Sequence, residues 1–269
     1  MKSSMSINSF WGALFIVACF IGLQFFVSFA LYDLGFKFEA GDPMFTGIIL
    51  LFSGAVTISA LVSYNSISYQ NLFHENRSTV KSTILLLILP ISLTFVGCVF
   101  WLSDLTSLML LFFPANLDEY LMMSRLLSGG VASIVVICVI APLIEELLFR
   151  GIILRGFLKH YSDNTSILLS SMLFALAHLT LTQLPVAYVL GALLGWLYVK
   201  TKSLWASILA HGIYNMCVML IWSVNDVKIQ QEATIEFNPI GVTVMAIVST
   251  AIGLYMLWLL LVPKVPARP

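Results

Sequence analysis

Charge is what this sequence most lacks. Only 10% of its 269 residues are Asp, Glu, Lys or Arg, and the formal net charge is zero. No basic tail or cluster is present, which removes the usual footprint of nucleic-acid binding. Cysteine is scarce too. Cys19, Cys98, Cys138 and Cys217 all sit in apolar runs, and none forms a CxxC pair. That excludes a disulfide framework and a thiolate zinc site, and leaves four small buried hydrophobes. There is no HExxH spacing, no internal repeat of fixed period and no low-complexity segment. No polar stretch is large enough to fold alone, so residues 1–269 read as a single integral-membrane domain.

What is present is oil. The chain is 60% hydrophobic with a mean hydropathy of +1.00, and long apolar runs read as membrane spans. Eight are expected, about Phe10–Leu31, Phe45–Tyr64, Thr83–Leu102, Gly129–Phe149, Ser166–Leu179, Val186–Val199, Trp205–Trp222 and Ile240–Val262. The fold class is therefore all-α and polytopic. Lys2 precedes the first run, but a signal-peptide core is shorter, roughly 7–15 residues, so that run reads as a retained span. Pro90 marks a kink in the third span. Thr106–Phe113 is too short to cross, and Leu117–Leu127 mixes Asp118, Glu119 and Arg125 with Leu and Met. That piece reads as amphipathic and interfacial. Asp163-Asn164-Thr165 reads as a turn and helix cap.

Eight spans put both termini on one side. With the N-terminus inside, Lys2, Arg77, Lys81, Arg150, Arg155, Lys159, Lys200, Lys202, Lys264 and Arg268 face the cytoplasm. Only Lys37, Arg125 and Lys228 face outward, so ten of the thirteen basic residues obey the positive-inside rule. The expectation is cytoplasmic termini and a helix bundle with a polar cavity inside it.

One stretch, Glu145-Glu146-Leu147-Leu148-Phe149-Arg150, stands against this background. A charge at mid-bilayer depth costs roughly 2.5–3.5 kcal/mol on insertion scales. At 100° per residue, Glu146 and Arg150 lie about 40° apart and can pair. Glu145 points elsewhere and reads as a free carboxylate. The bland reading is a helix end at the interface with all three charges snorkelling. His178 and His211 also lie inside apolar spans, whereas His74 and His160 fall in loops and read as solvated. Asn215 shares the helical face of His211, about 40° away. Singly, each could be interhelical glue worth about 0.6–2 kcal/mol. Together they come from three spans otherwise almost free of ionisable groups, and buried polar groups must find partners. Convergence on one watery cavity is the expectation.

Such a cluster supports hydrolysis. A carboxylate beside a histidine holds and deprotonates a water, and a His–Asn pair donates hydrogen bonds to an oxyanion. No serine or cysteine nucleophile is comparably placed. Alternatively Glu145, His178 and His211 would ligate zinc, which takes three protein ligands and a water. No metal-binding spacing supports that alternative, and no cofactor is expected.

The set Glu145-Glu146-x-x-x-Arg150, Phe174-x-x-x-His178 and His211-x-x-x-Asn215 resembles the three motifs of the CPBP family. This is the Rce1-like CAAX-protease, bacteriocin-processing and Abi family of intramembrane endopeptidases. Gly191-Ala192-Leu193-Leu194-Gly195 falls where such proteins carry a small-residue motif, read physically as close helix packing. The resemblance covers about Gly129–Met219, the catalytic core. It implies a glutamate-dependent endopeptidase with an eight-span helical fold. It implies that Glu145 and His178 activate water, that His211 and Asn215 stabilise the oxyanion, and that Glu146 and Arg150 support them. Metalloprotease members have also been described. The implied substrate is a membrane-associated peptide or lipidated protein, in contact with lipid and not with nucleic acid. The short loops and tail suit a prokaryotic cytoplasmic membrane. Two other readings compete: a non-catalytic immunity or scaffold protein of the same family, and a proton-coupled transporter, which would show inverted repeats that are not seen. Nothing in the pattern sets an oligomeric state.

One geometric tension accompanies these expectations. His178 lies about 20 Å beyond a helix start at Ser166, and His211 only about 9 Å beyond Trp205. A straight fifth span would carry His178 past Glu145, unless it tilts, starts submerged, or the fourth helix runs on past Arg150.

Overall fold

A computed structural model of the chain describes residues 9–65, 68, 72–76, 78–114, 117–229 and 235–262, with side chains from 225 to 229 left aside. The topology expectations for Lys2, Arg77, Lys264 and Arg268, and for the side chain of Lys228, lie outside these residues. The described elements are helical. They are α1 (Phe10–Asp33), α2 (Pro43–Tyr64), α3 (Val80–Phe112), α4 (Leu117–Ser128), α5 (Gly130–Phe157), α6 (Asp163–Leu176), α7 (Leu184–Thr201), α8 (Leu204–Ile229) and α9 (Ile240–Leu261).

Local chemistry sets the helix starts. Ser9 accepts from the Gly12 amide, Asp42 from Met44 and Phe45, Thr79 from Ser82, and Ser162 from Thr165. Each is a short oxygen-bearing side chain satisfying an amide that the first turn leaves unpaired. The cap of α6 is thus Ser162, one residue before the turn expected from Asp163-Asn164-Thr165.

Among the described residues, seven helices are long and apolar enough to cross a membrane: α1, α2, α3, α5, α7, α8 as far as Val224, and α9. The expected fifth of eight spans is the exception. α6 has 14 residues, about 21 Å at 1.5 Å per residue, short of a hydrocarbon core of about 30 Å. It stops because Leu179 takes a left-handed φ of 58°, which a right-handed helix cannot continue. α6 nevertheless runs antiparallel against α7. A Cβ on Gly191 would lie 3.2 Å from Ser171 Cα, and one on Gly195 3.4 Å from Ile167. The close packing read from this glycine pair is present.

Two other boundaries move. α3 absorbs the Thr106–Phe113 segment and runs 33 residues, with Pro90 inside it. The fourth expected span does not end at Phe149 but continues to Phe157. Leu147 to Leu154 are all buried, so Glu145 lies near the middle of its helix, not at a water interface. α4 is the amphipathic piece expected, acidic in its first turn and basic in its last. Its Arg125 pairs with Glu39 at 2.7 Å.

Among the described residues the core has, besides a small cluster around Leu127, Cys138 and Met219, two large parts. One surrounds the second half of α5 and includes Val17, Ile58, Leu72, Leu148, Ile153, Phe157 and Phe174. The other joins α3, α7, α8 and α9 through Leu87, Phe95, Leu194, Ala210 and Leu257. Large apolar side chains such as Phe25, Phe29, Leu85, Leu89, Ile247 and Tyr255 stand on the outside, as lipid contact requires. Cys98 and Cys138 are buried as expected, whereas Cys19 is exposed on α1. His74 is more than a solvated loop side chain. Its Nε2–H donates to the Ser78 carbonyl at 2.6 Å, and Nδ1 accepts from the Ser203 hydroxyl at 2.9 Å. With Glu75, which bonds the Lys202 carbonyl and pairs with Arg155, it straps the α2–α3 connection over the α7–α8 turn.

α3 and α9 meet where side chains vanish. A Cβ on Gly253 would stand 2.5 Å from the Thr94 amide nitrogen and 2.8 Å from the Pro90 carbonyl oxygen, neither of which can yield. Gly253→Ala should therefore overpack the contact by about 1–3 kcal/mol, seen as a fall of several degrees in the Tm of the detergent-solubilised protein. Gly22→Ala, which meets nothing within 4 Å, should leave the Tm unchanged.

Candidate active site

The helix that carries the charges is not a plain α-helix. α5 contains two π-helical stretches, Val136–Ile140 and Leu147–Leu154, on either side of the α-helical Ala141–Glu146. Such i→i+5 turns are rare and recur at functional sites. Pro142 explains one consequence. The Ala141 amide bonds the Val136 carbonyl, and in that pattern the donor for Ile137 would be residue 142. Proline has no N–H, so the Ile137 carbonyl is orphaned. Asn215 fills it, with Nδ2 donating at 2.8 Å. α8 can come this close because residue 212 is glycine: a Cβ there would lie 2.8 Å from the Cys138 carbonyl oxygen.

The expected pair forms at the centre of the bundle. Glu146 and Arg150 are both fully buried, with Nη1 to Oε1 at 2.6 Å. Arg150 also donates to the Gly191 carbonyl at 3.0 Å and stacks over the Phe174 ring at 4.6 Å. α7 thus contributes a backbone oxygen, and α6 an aromatic face, to one guanidinium. The snorkelling alternative is overturned by this burial. Glu146 Oε2 and Arg150 Nε nonetheless have no partner among the described residues. An unsatisfied polar atom in so closed a place calls for an explanation, and a group that the site is built to receive is one.

One histidine bonds this pair directly, and the other reaches it through Phe174. His211 is buried, and its Nδ1–H donates to Glu146 Oε1 at 3.0 Å. Its other nitrogen, Nε2, faces Glu145 Oε2 at 3.8 Å. The Glu145 side chain is 21% exposed, so the carboxylate read as free is the accessible one. His178 lies just beyond the end of α6, and its Nδ1–H donates to the Phe174 carbonyl at 2.9 Å. The Phe174 ring meets His178 edge-on at 4.8 Å and His211 at 5.8 Å, centroid to centroid. Glu145, Glu146, Arg150, Phe174 and His211 are thus linked across α5, α6 and α8, His178 joins them through Phe174, and Asn215 bonds the Ile137 carbonyl on the same face of α8 as His211. The continuation of α5 past Arg150 is the option, among those open, that puts the carboxylates at mid-helix.

Two contacts of this set were missed in the sequence. Glu146 holds His211 as well as Arg150, and Asn215 serves the Ile137 carbonyl. Pro142 is a signal for the second, since a proline always strips a donor from the preceding turn. The donor set has the look of a zinc site, because each ring has its Nδ1–H on an acceptor. Yet among the described residues no three of His, Cys, Asp and Glu are placed to hold a metal ion. The trio Glu145, His178 and His211 does not form a ligand set as it stands.

Comparison with known proteins meets the site where the motifs lie. Residues 127–217 match the family described as type II CAAX prenyl endopeptidase Rce1-like. The putative membrane peptidase YdiL of Bacillus subtilis (strain 168) is 31% identical over 88 residues, 33% of this chain and 36% of that protein. The membrane-embedded CAAX protease MroQ of Staphylococcus aureus (strain USA300) is 30% identical over 95 residues, 33% of this chain and 38% of its own length. The similarity thus spans little more than a third of each curated relative. No solved structure matches the chain. Residues 127–217 carry an Rce1-like segment, and the resemblance read from the three motifs holds there.

Removing one member of the buried pair should be severe. Arg150→Ala leaves Glu146 in the core without its cationic partner, held only by the His211 hydrogen bond, a loss of about 3–5 kcal/mol. Arg125→Ala breaks an exposed pair and a long exposed hydrogen bond to the Ala40 carbonyl and should cost no more than about 1 kcal/mol. Thermal unfolding of both variants in the same detergent checks the contrast.

Proposed function

We propose that the chain is an intramembrane endopeptidase that hydrolyses peptide bonds of membrane-associated peptides or lipidated proteins, with Glu145 activating the attacking water. One observation carries this reading. A partly exposed carboxylate, Glu145, stands against the Nε2 of a buried histidine and beside a second carboxylate already neutralised by arginine. The first carboxylate is thereby left for chemistry and the second for architecture. Geometry of this kind suits a general base with a water in reach.

The family resemblance adds the other roles. It makes His178 the partner of Glu145 and makes His211 with Asn215 the donors to the oxyanion. Two features support the share of Asn215. Its amide is oriented by the Ile137 carbonyl, and Nδ2 has a second hydrogen to give. The name of the Staphylococcus aureus relative, a CAAX protease, agrees with a peptide-hydrolase reading. The two relatives are bacterial membrane proteins by name and source, and we place this chain in a prokaryotic cytoplasmic membrane with both termini inside. α6 and α7 then form a hairpin that enters and leaves on one side. With no net crossing by that hairpin, the six crossings of α1, α2, α3, α5, α8 and α9 would leave both termini on one side.

In cells that carry the chain, Glu145→Ala or His178→Ala should each cause precursor peptides to accumulate, read by mass spectrometry of the membrane fraction. Each purified variant should keep the parental Tm. Cleavage at the full parental level in either variant overturns the role given to that residue. No accumulation in both favours a non-catalytic protein in which the cluster only packs the helices.

A further inference from the structure

The two histidines are held by the same kind of contact. Nδ1 of His178 bonds the Phe174 carbonyl oxygen, and Nδ1 of His211 bonds a carboxylate oxygen of Glu146 that also takes the Arg150 guanidinium. A carbonyl only accepts, and so does a carboxylate ionised by an arginine partner. The hydrogen must therefore sit on Nδ1 in each ring. In the neutral ring Nε2 is then the lone-pair nitrogen, and it cannot donate to an oxyanion.

For His211 this has a direct geometric consequence. Its Nε2 faces Glu145 Oε2 at 3.8 Å, beyond hydrogen-bond length, and the two atoms are both acceptors. A polar gap of that size suits a bridging water, and a water has one hydrogen for each side. We infer that His211, with Nε2 accepting, shares with Glu145 the task of holding the attacking water, and that Glu146 is the positioning residue that fixes the required tautomer. The inference rests on the hydrolytic reading above and changes one assignment in it. His211 leaves the oxyanion set, and the free amide hydrogen of Asn215 donates there.

The step balances as follows. The bridging water gives one hydrogen bond to His211 Nε2 and transfers its other proton to Glu145. Its oxygen adds to the peptide carbonyl carbon. The C–N bond then breaks, and the proton held on Glu145 passes to the departing amine nitrogen. Glu146 stays ionised throughout, bound to Arg150 on one side and to the Nδ1–H of His211 on the other. It touches no reacting atom.

The test needs no substrate. Full-length protein labelled with 15N-histidine is placed in lipid nanodiscs, and the His211 signals are identified by their loss in His211→Gln. At a pH where the ring is neutral, Nδ1 should resonate in the protonated range and Nε2 in the unprotonated range. The reverse tautomer overturns the inference. Glu146→Ala should release His211 toward the Nε2–H form that free imidazole favours in water. That variant strands Arg150 and can fail to fold, so Glu146→Ala/Arg150→Leu gives the same reading in a charge-neutral core. An unchanged His211 tautomer in that folded pair variant excludes the positioning role of Glu146. The His178 signals should not move in either variant, because its acceptor is the backbone. Absence of peptidase activity in the parent would sink the hydrolytic reading and leave the tautomer result standing. Activity with an Nε2–H ring on His211 would return that histidine to the oxyanion.

Discussion

The buried carboxylate of Glu146 is the contact on which the rest of the site depends. It lies fully out of water and takes both Arg150 and His211 on a single oxygen. An isolated carboxylate in that position would cost several kcal/mol, so each partner is needed to keep it charged there. Arg150 in turn needs the Gly191 carbonyl and the Phe174 ring. Four helices, α5, α6, α7 and α8, are thereby tied through one ion pair. The position of His211, and so the geometry around Glu145, follows from that tie.

The polar cluster is reached by close backbone approaches, and these have identifiable causes. Gly191 and Gly195 let α6 lie against α7, and Gly212 lets α8 lie against the π-helical turn of α5. Pro142 deprives the Ile137 carbonyl of a donor, and Asn215 provides one. The interhelical glue that Asn215 could be when taken singly is what its Nδ2 supplies here, holding α5 and α8 together. Its remaining hydrogen is oriented as a result. Structural and chemical uses of one residue coincide here, because inside a membrane bundle, where lipid offers no partner, a polar atom must be satisfied before it can be aimed.

Much of this arrangement was legible in the sequence, and what was not has physical reasons. The spacing of Glu146 and Arg150 gave the pair, since four residues close one helical turn. The glycine spacing of α7 gave the tight contact with α6. The apolar runs gave the all-helical bundle, but hydropathy sees composition and not termination. It counted Ser166–Leu179 as a span although that run, like α6 itself, is only 14 residues long and too short to cross unaided. It also ended the apolar span, though not the helix, at its charges, expecting Gly151–Tyr161 to continue as an amphipathic helix, because a charged pair looks like an interface until burial shows the pair neutralised. The Glu146–His211 contact joins residues 65 positions apart. No periodicity within one helix could have exposed it, and only the packing of α8 on α5 does.

The account reduces to a claim about one proton: Glu145 removes it from a water that attacks a peptide carbonyl within the bundle. The most direct measurement is cleavage of membrane-inserted peptides by the nanodisc-reconstituted protein in 18O-labelled water, with new C-termini read by mass spectrometry. The parent protein should place heavy oxygen in the carboxylate of each newly formed C-terminus, and Glu145→Gln, folded to the same Tm, should form none. Cleavage by Glu145→Gln at the parental rate, or no cleavage by the parent across a broad peptide set, would contradict the account.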